Sequence, residues 1–365
     1  DGSNVETNVF TISFSTSNLG QYTFTLLEAL DHVDGLQNNI LSFDVPVLAV
    51  DADGDDSAMS PMTVAITDDV QGVQDGTLSI TEPSLADLAA GTPPTTPIID
   101  VMPTQSADGA KVTQFTYDGG TAVTLDPSIS TEQVFTVTDG LLYITIEGEV
   151  RFEPSRDLDH SSGDIVRTIV VTTSDFDNDT DTADVTLTIK DGIDPVIDVV
   201  PDVNLSEVNL ADGSTPTGSP VSSTHTITYT EGSDDFSHFR IATNEFNPGD
   251  LLKSSGLVVQ LKEDPASAGD YIGYTDDGMG NVTDVFTISF DSANKAQFTF
   301  TLIEALDHLD GVLYNDLTFR LPIYAVDTDD SESTKRDVVV TIEDDIQQMQ
   351  DGFLTITEPN SGTPT

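Results

Sequence analysis

Apolar and polar residues alternate with a period of two over short stretches along most of the chain. The runs at 9–14, 22–27, 41–45 and 62–66 are rich in Val, Phe, Thr and Ile. Such alternation predicts strands with one face on a core and one in water. Similar runs follow at 112–117, 133–137, 141–146, 149–152, 168–173 and 183–189, and again at 225–229, 239–241 and 257–261. Between them lie turn signals such as Asp118-Gly119-Gly120 and Asp139-Gly140, residues that reach the backbone conformations of tight turns at low cost. No stretch has the strong 3.6-residue period of an amphipathic helix. Glu28-Ala29-Leu30 is expected to make at most one helical turn before Asp31. Many short strands with regular turns predict an all-β chain built of sandwiches.

The pattern repeats. Leu30-Asp31-His32, Asp51-Ala52-Asp53-Gly54-Asp55 and Asp68-Asp69 recur as Leu306-Asp307-His308, Asp327-Thr328-Asp329 and Asp344-Asp345, at a constant offset of 276 residues. Asp75-Gly76-Thr77-Leu78 through Glu82-Pro83 recurs at the same offset as Asp351-Gly352-Phe353-Leu354 through Glu358-Pro359. A looser copy reads Leu158-Asp159-His160, then Asp175-Phe176-Asp177-Asn178-Asp179, then Asp191-Gly192. Self-similarity at a fixed period indicates tandem modules. The boundaries read as 1–70, the back half of a long module whose front half lies upstream; 71–192, a short module; 193–346, a complete long module; and 347–365, the start of another short one. The Pro-rich segment 91–97 is expected to be stiff and extended.

Charge narrows the function. The 365 residues hold 64 acidic and 12 basic side chains, a formal net charge of −52. Phosphate would be repelled, so nucleic acid is excluded as a partner. Repulsion of this size opposes a compact state unless cations offset it. Disorder is excluded by the 37% hydrophobic content arranged in alternating runs. With no cysteine there are neither disulfides nor thiolate metal sites. No apolar run is long enough to span a membrane. No signal peptide is visible, which is uninformative because residue 1 falls inside a module.

The acidic clusters supply the candidate chemistry. Asp51, Asp53 and Asp55 are spaced by two, as are Asp175, Asp177 and Asp179, and the pair Asp327 and Asp329. In a loop, carboxylates at this spacing converge on one hard cation, and calcium accepts six to eight oxygens in flexible geometry. A solvated turn is the plain alternative for any one cluster. Recurrence at the same place in three modules favours calcium. An EF-hand would need Gly at loop position six and Glu at twelve, and neither Asp51 nor Asp175 begins such a loop. The Gly-Gly-x-Gly-x-Asp repeat is absent too. His32, His160 and His308 read as packing or hydrogen-bonding residues rather than ligands, because calcium prefers oxygen. Phe236, His238, Phe239, Arg240, Tyr271 and Tyr274 read as core more than as a sugar or peptide site. Glu153 and Asp159 could be imagined as a glycosidase pair, but the chain has no Trp. No Gly-x-Ser-x-Gly elbow appears either.

The order of Leu-Asp-x, Asp-x-Asp, an acidic strand end and then a Glu resembles the calcium grammar of cadherins. It is clearest from Gly148-Glu149-Val150-Arg151-Phe152-Glu153 through Leu158-Asp159-His160 to Asp175-Phe176-Asp177. That resemblance implies ligands meeting at module joints, with each Glu reaching back to the preceding module. Glu82 would join Asp31, Asp51, Asp53, Asp68 and Asp69. Glu207 would join Asp159, Asp175, Asp177 and Asp191. Glu358 would join Asp307, Asp327, Asp329, Asp344 and Asp345. The chain departs from the pattern in having His after Leu-Asp and no full Asp-x-Asn-Asp-Asn linker, so one calcium per joint is expected.

As a whole, with Val-x-Ile-x-Asp-Asp ends at 64–69 and a Phe-Thr-Phe-Thr-Leu-x-Glu-Ala-Leu-Asp-His core at 298–308, the chain resembles the repeat region of large RTX-type bacterial adhesins exported by type I secretion. The resemblance implies Ig-like and cadherin-like sandwiches in an extended rod outside the cell, stiffened by Ca2+, serving cell adhesion or biofilm formation without enzymatic activity. The implied partners are neighbouring repeats, with host or cell-surface glycans or proteins bound through other domains. A glycan- or cell-binding long module and a laterally associating surface filament are the alternatives.

Overall fold

The computed structural model describes residues 6–35, 38–69, 71–92, 94, 97–107, 109–217, 220–248, 252–309, 315–346 and 352–356. Its fold is almost entirely β, with two-sheet sandwiches as its main bodies. The chain divides into two compact units, 1–192 and 193–365. Among the described residues, no helix is long and apolar enough to cross a membrane.

The first unit holds two hairpins and one sandwich. Phe10–Phe14 pairs antiparallel with Tyr22–Leu26, and Ile40–Val47 with Ser60–Thr67. The rings of Phe10, Phe24 and Phe43 join the hairpins, with centroids 5.1 to 6.5 Å apart. One sheet of the sandwich runs Ile99–Asp100, Glu149–Pro154, Gly140–Ile144, Gln133–Val137. The other runs Gly76–Thr81, Thr180–Lys190, Ile165–Ser174, Lys111–Tyr117, Val123–Thr124. Alternate residues of both sheets, among them Leu78, Phe115, Leu142, Phe152, Val171 and Leu187, are buried together between them. The period-two pattern of the sequence is therefore the period of the pleat.

The second unit is a larger sandwich of the same kind. Val203–Ser206, Arg336–Glu343, Asp316–Asp327 and Phe236–Ile241 form one sheet. Val221–Thr226, Gln297–Leu302, Val282–Phe290, Tyr271–Asp276 and Gln260–Glu263 form the other. Its core is aromatic: Phe286 stacks between Phe300 and Phe319, with centroids 5.1 and 5.5 Å away. Phe236, Phe239 and Tyr271 belong to this core, as expected for large apolar rings in a small β domain, whereas His238 is exposed and Arg240 and Tyr274 are only half-buried.

One topological feature positions everything below. In each unit the first strand of the sandwich pairs with the last strand in parallel, Gly76–Thr81 with Thr180–Lys190 and Val203–Ser206 with Arg336–Glu343. Parallel strands point the same way. Whatever follows the first strand therefore sits beside the end of the last.

The helical expectation at 28–30 is not met. The one α-helix among the described residues is Leu85–Ala90. Ser84 caps it by accepting from the Asp87 amide, the Asp87 carboxylate accepts from the Ser84 amide, and Gly91 ends it at φ 67 in the left-handed region. The sequence carries these end signals in Ser84, Asp87 and Gly91. In the Pro-rich stretch, residues 93, 95 and 96 lie outside the described residues.

Candidate metal centres

The three Asp-x-Asp loops share one conformation. In each, the first Asp donates its amide to the carbonyl four residues on: Asp51 to Asp55, Asp175 to Asp179 and Asp327 to Ser331, at 3.1, 3.1 and 3.2 Å. In return, its carboxylate accepts the amide of that fourth residue, at 2.9 Å from Asp55, 2.8 Å from Asp179 and 2.8 Å from Ser331. The residue before the closing position is left-handed each time: Gly54 at φ 98, Asn178 at φ 64 and Asp330 at φ 73. Gly, Asn and Asp tolerate that region best. The first Asp thus shapes the loop, and the later ones are left to act.

In the first unit, Asp177 and Asp179 come together with Asp68 at the end of Ser60–Thr67. One carboxylate oxygen from each lies within 4.8 Å of the others, and all three residues are buried. Neither oxygen of Asp177 nor of Asp179 has a hydrogen-bond partner. Backbone contacts hold the loop against the hairpin: Gly35 donates to the Asp177 carbonyl at 3.1 Å, and Asn178 Nδ2 to Asp34 at 3.2 Å. Asp69 is used differently, accepting the Ala107 amide at 2.8 Å.

In the second unit, Asp327 and Asp329 meet Asp234, again within 4.8 Å and buried. Asp234 lies in the turn 231–235 ahead of Phe236–Ile241. Ser233 fixes that turn, donating its amide to the Ile193 carbonyl and accepting the Ile193 amide at its hydroxyl. Gly232 permits the approach, since a Cβ there would stand 1.8 Å from the Ile193 carbonyl oxygen. Burial raises the Asp327 carboxyl to about 7, and the neighbouring Asp329 adds to the rise. Asp51, Asp53 and Asp55 also lie within 4.8 Å of one another but are exposed. Hydrogen bonds from Asp53 and from the Asp55 amide hold Asp51 below its usual value.

The placement of the glutamates corrects the expectation that each reaches back to the preceding module. Glu82 Oε1 accepts the Leu158 amide at 3.1 Å, and Oε2 lies 3.3 Å from His160 Nε2. Asp191 lies within 4.8 Å of the same carboxylate. Glu207 Oε1 accepts the Leu306 amide at 2.7 Å and lies 3.4 Å from His308 Nε2, with Asp344 beside it. The parallel pairing is the cause. It carries each Glu to the C-terminal end of its own sandwich, onto that sandwich's Leu-Asp-His. Burial raises the Glu207 carboxyl.

The Asp of Leu-Asp-His joins no such cluster among the described residues. Asp159 accepts the Ser161 amide and hydroxyl in a local turn, and Asp307 accepts the Gly256 amide at 2.7 Å. Asp31 is exposed, in an acidic cleft with Glu28 and Asp34. It is the histidine that turns inward. Asp345 accepts the Ser214 amide at 2.6 Å. Glu358 lies outside the described residues. Asp234 was not singled out from the sequence. Its only signal was a Gly-Ser-Asp-Asp turn outside the repeat.

The buried triads suit a hard divalent cation. Every donor is a carboxylate oxygen, and three like charges within one ion's reach repel strongly unless a cation or protons intervene. No family model matches the chain, and no curated protein matches it. Among solved structures, it is similar to protocadherin gamma C5 EC1-3 (12% identity, 84% of this chain, 77% of that one, TM-score 0.25). A titin fragment of three Ig domains is similar at 9% identity, 93% and 83% coverage and TM-score 0.27. Mouse cadherin-23 EC22-24 is similar at 12%, 92% and 86% coverage and TM-score 0.22. TM-scores of this size leave the fold to be read from the strand pairing above.

Proposed function

We propose that this chain is a segment of the extracellular extender of a bacterial adhesin of the RTX, type I-secreted kind, and that calcium bound by its buried aspartate triads makes its repeats firm. The role is mechanical: the repeats carry an adhesive domain away from the cell and so serve adhesion or biofilm formation. One observation carries the reading. Asp177 and Asp179 are buried beside Asp68 with no hydrogen-bond partner for any of their four oxygens. A stable fold rarely leaves buried carboxylates in that state. An oxygen-only donor set in a flexible loop favours calcium over softer ions. Asp68 and the 175–179 loop come from segments far apart in sequence, so an ion shared by them would tie the hairpin segment to the sandwich.

Melting and hydrogen exchange in millimolar calcium and in chelator test this. A ligand at a hundredfold excess over its Kd stabilises by about 2.7 kcal/mol. For units of this size that is a rise in Tm of roughly 5–10 °C. Amides of 31–39 and 175–179 should gain protection in calcium. Identical melts and exchange in both buffers would defeat the proposal.

A further inference from the structure

His308 offers chemistry that calcium does not use. Its Nδ1 lies 2.9 Å from Asn315 Oδ1. The Asn315 amide group is oriented by its other end, since Nδ2 donates to the Leu309 carbonyl at 3.2 Å. Oδ1 is therefore an acceptor, and Nδ1 must carry the proton. In the neutral ring Nε2 then presents a lone pair. The His308 side chain is 5% exposed, and Nε2 has no hydrogen-bond partner. It faces Glu207 Oε1 at 3.4 Å, with an Asp344 oxygen completing a set in which all three donor atoms lie within 4.8 Å of one another.

We propose that Glu207, His308 and Asp344 form a separate site for a late first-row divalent cation of the zinc class. Two donors bound at about 2.0–2.1 Å to one tetrahedral ion stand about 3.4 Å apart, the separation of Nε2 and Oε1. An imidazole nitrogen among two carboxylates favours zinc, nickel or copper over calcium. The Asn315 contact is the outer partner that a ligating histidine uses to fix its tautomer. The same clamp recurs in the first unit, where His32 Nδ1 lies 3.0 Å from Asn39 Oδ1 and Asn39 Nδ2 donates to the Val33 carbonyl. It thus belongs to the repeat rather than to one loop. The site shares no residue with the triad of Asp234, Asp327 and Asp329 and does not rest on the calcium reading.

The test is calorimetric titration of zinc into the whole chain in millimolar calcium, for the wild type, His308→Gln and Asn315→Ala. The wild type should show a tight zinc phase that calcium does not displace. His308→Gln should lose that phase, and Asn315→Ala should weaken it by roughly ten- to a hundredfold. Both variants should keep the wild-type melting shift in calcium, so that failure of the calcium reading would show separately. Should His308→Gln not fold, the nitrogen resonance of His308 Nε2 in the wild type gives the answer, moving on zinc addition and not on calcium addition. Equal zinc binding by wild type and His308→Gln, displacement of zinc by calcium, or an unmoved Nε2 resonance would each overturn the proposal. The last result would leave an ordinary histidine–glutamate pair.

Discussion

Residues 10–67 and 286–343 share about half of their residues, position for position, and end in different surroundings. Phe10 is 38% exposed and Leu26 40%, whereas their counterparts Phe286 and Leu302, 276 positions on, are both at 0%. The hairpin pairing is the same in both places, Ile12 opposite Phe24 and Ile288 opposite Phe300. What differs is the covering. In the second unit Val221–Thr226 and Tyr271–Asp276 flank the repeated strands, and Phe236–Ile241 extends the facing sheet. Among the described residues, 10–67 have no such neighbours. The acidic loops follow suit. Asp51 and Asp53 are exposed, while Asp327 and Asp329 are buried with Asp234, which the covering segment supplies. Local sequence therefore sets strands and loop shape. In the second unit the burial of the repeated strands, and of Asp327 and Asp329, comes from residues 221–276, ahead of them in the chain.

The largest test of this contrast is in the core. Phe300→Ala should cost about 3–5 kcal/mol, and Phe24→Ala, at the matching position, about 1 kcal/mol or less. Denaturant melts of the two variants check it, and equal losses would break the comparison. Next come the triads. Asp177→Asn or Asp329→Asn should remove much of the calcium-dependent gain of about 2.7 kcal/mol, while Asp53→Asn should leave it in place. Thermal melts with and without calcium separate the two classes. A further effect is in pH. Asp327 has a folded value of about 7 against its usual 3.8, so the folded state holds this proton more tightly than the unfolded chain between those values. In chelator its contribution is present below about pH 4 and is lost as pH rises towards 7. Asp329→Asn, by removing the neighbouring charge, should flatten that fall. Parallel Tm–pH curves for wild type and variant would count against it.

Much of this architecture is legible in the residues. The period-two runs place many of the strands, because half-buried strands write their pleat into the sequence, but Gly76–Thr81, Val203–Ser206 and Tyr271–Asp276 fall outside them. The Asp-x-Asp loops are legible too, down to the Gly, Asn or Asp that takes the left-handed position. The partners of the glutamates were not. Adjacency along a repeat suggested that Glu82 and Glu207 look backward, but strand direction decides, and no local pattern records that the first strand joins the last in parallel. Asp234 escaped for a related reason. Its role depends on which turn is carried over the Asp327 loop, which is a matter of topology. His308 gives no local sign of a ligand role beside a calcium-like donor set, since calcium prefers oxygen, although its spacing to Asn315, matched by His32 and Asn39, stands in the sequence.

The parallel closing pair also decides how a module answers a pull on its two ends. Tension enters one sandwich through Gly76–Thr81 and leaves through Thr180–Lys190, so it acts along the strands and shears their bonds together rather than unzipping them singly. Six residue pairs share that load in the first unit and four, between Val203–Ser206 and Arg336–Glu343, in the second. In a force–extension record the shorter clamp of the second unit is expected to yield first.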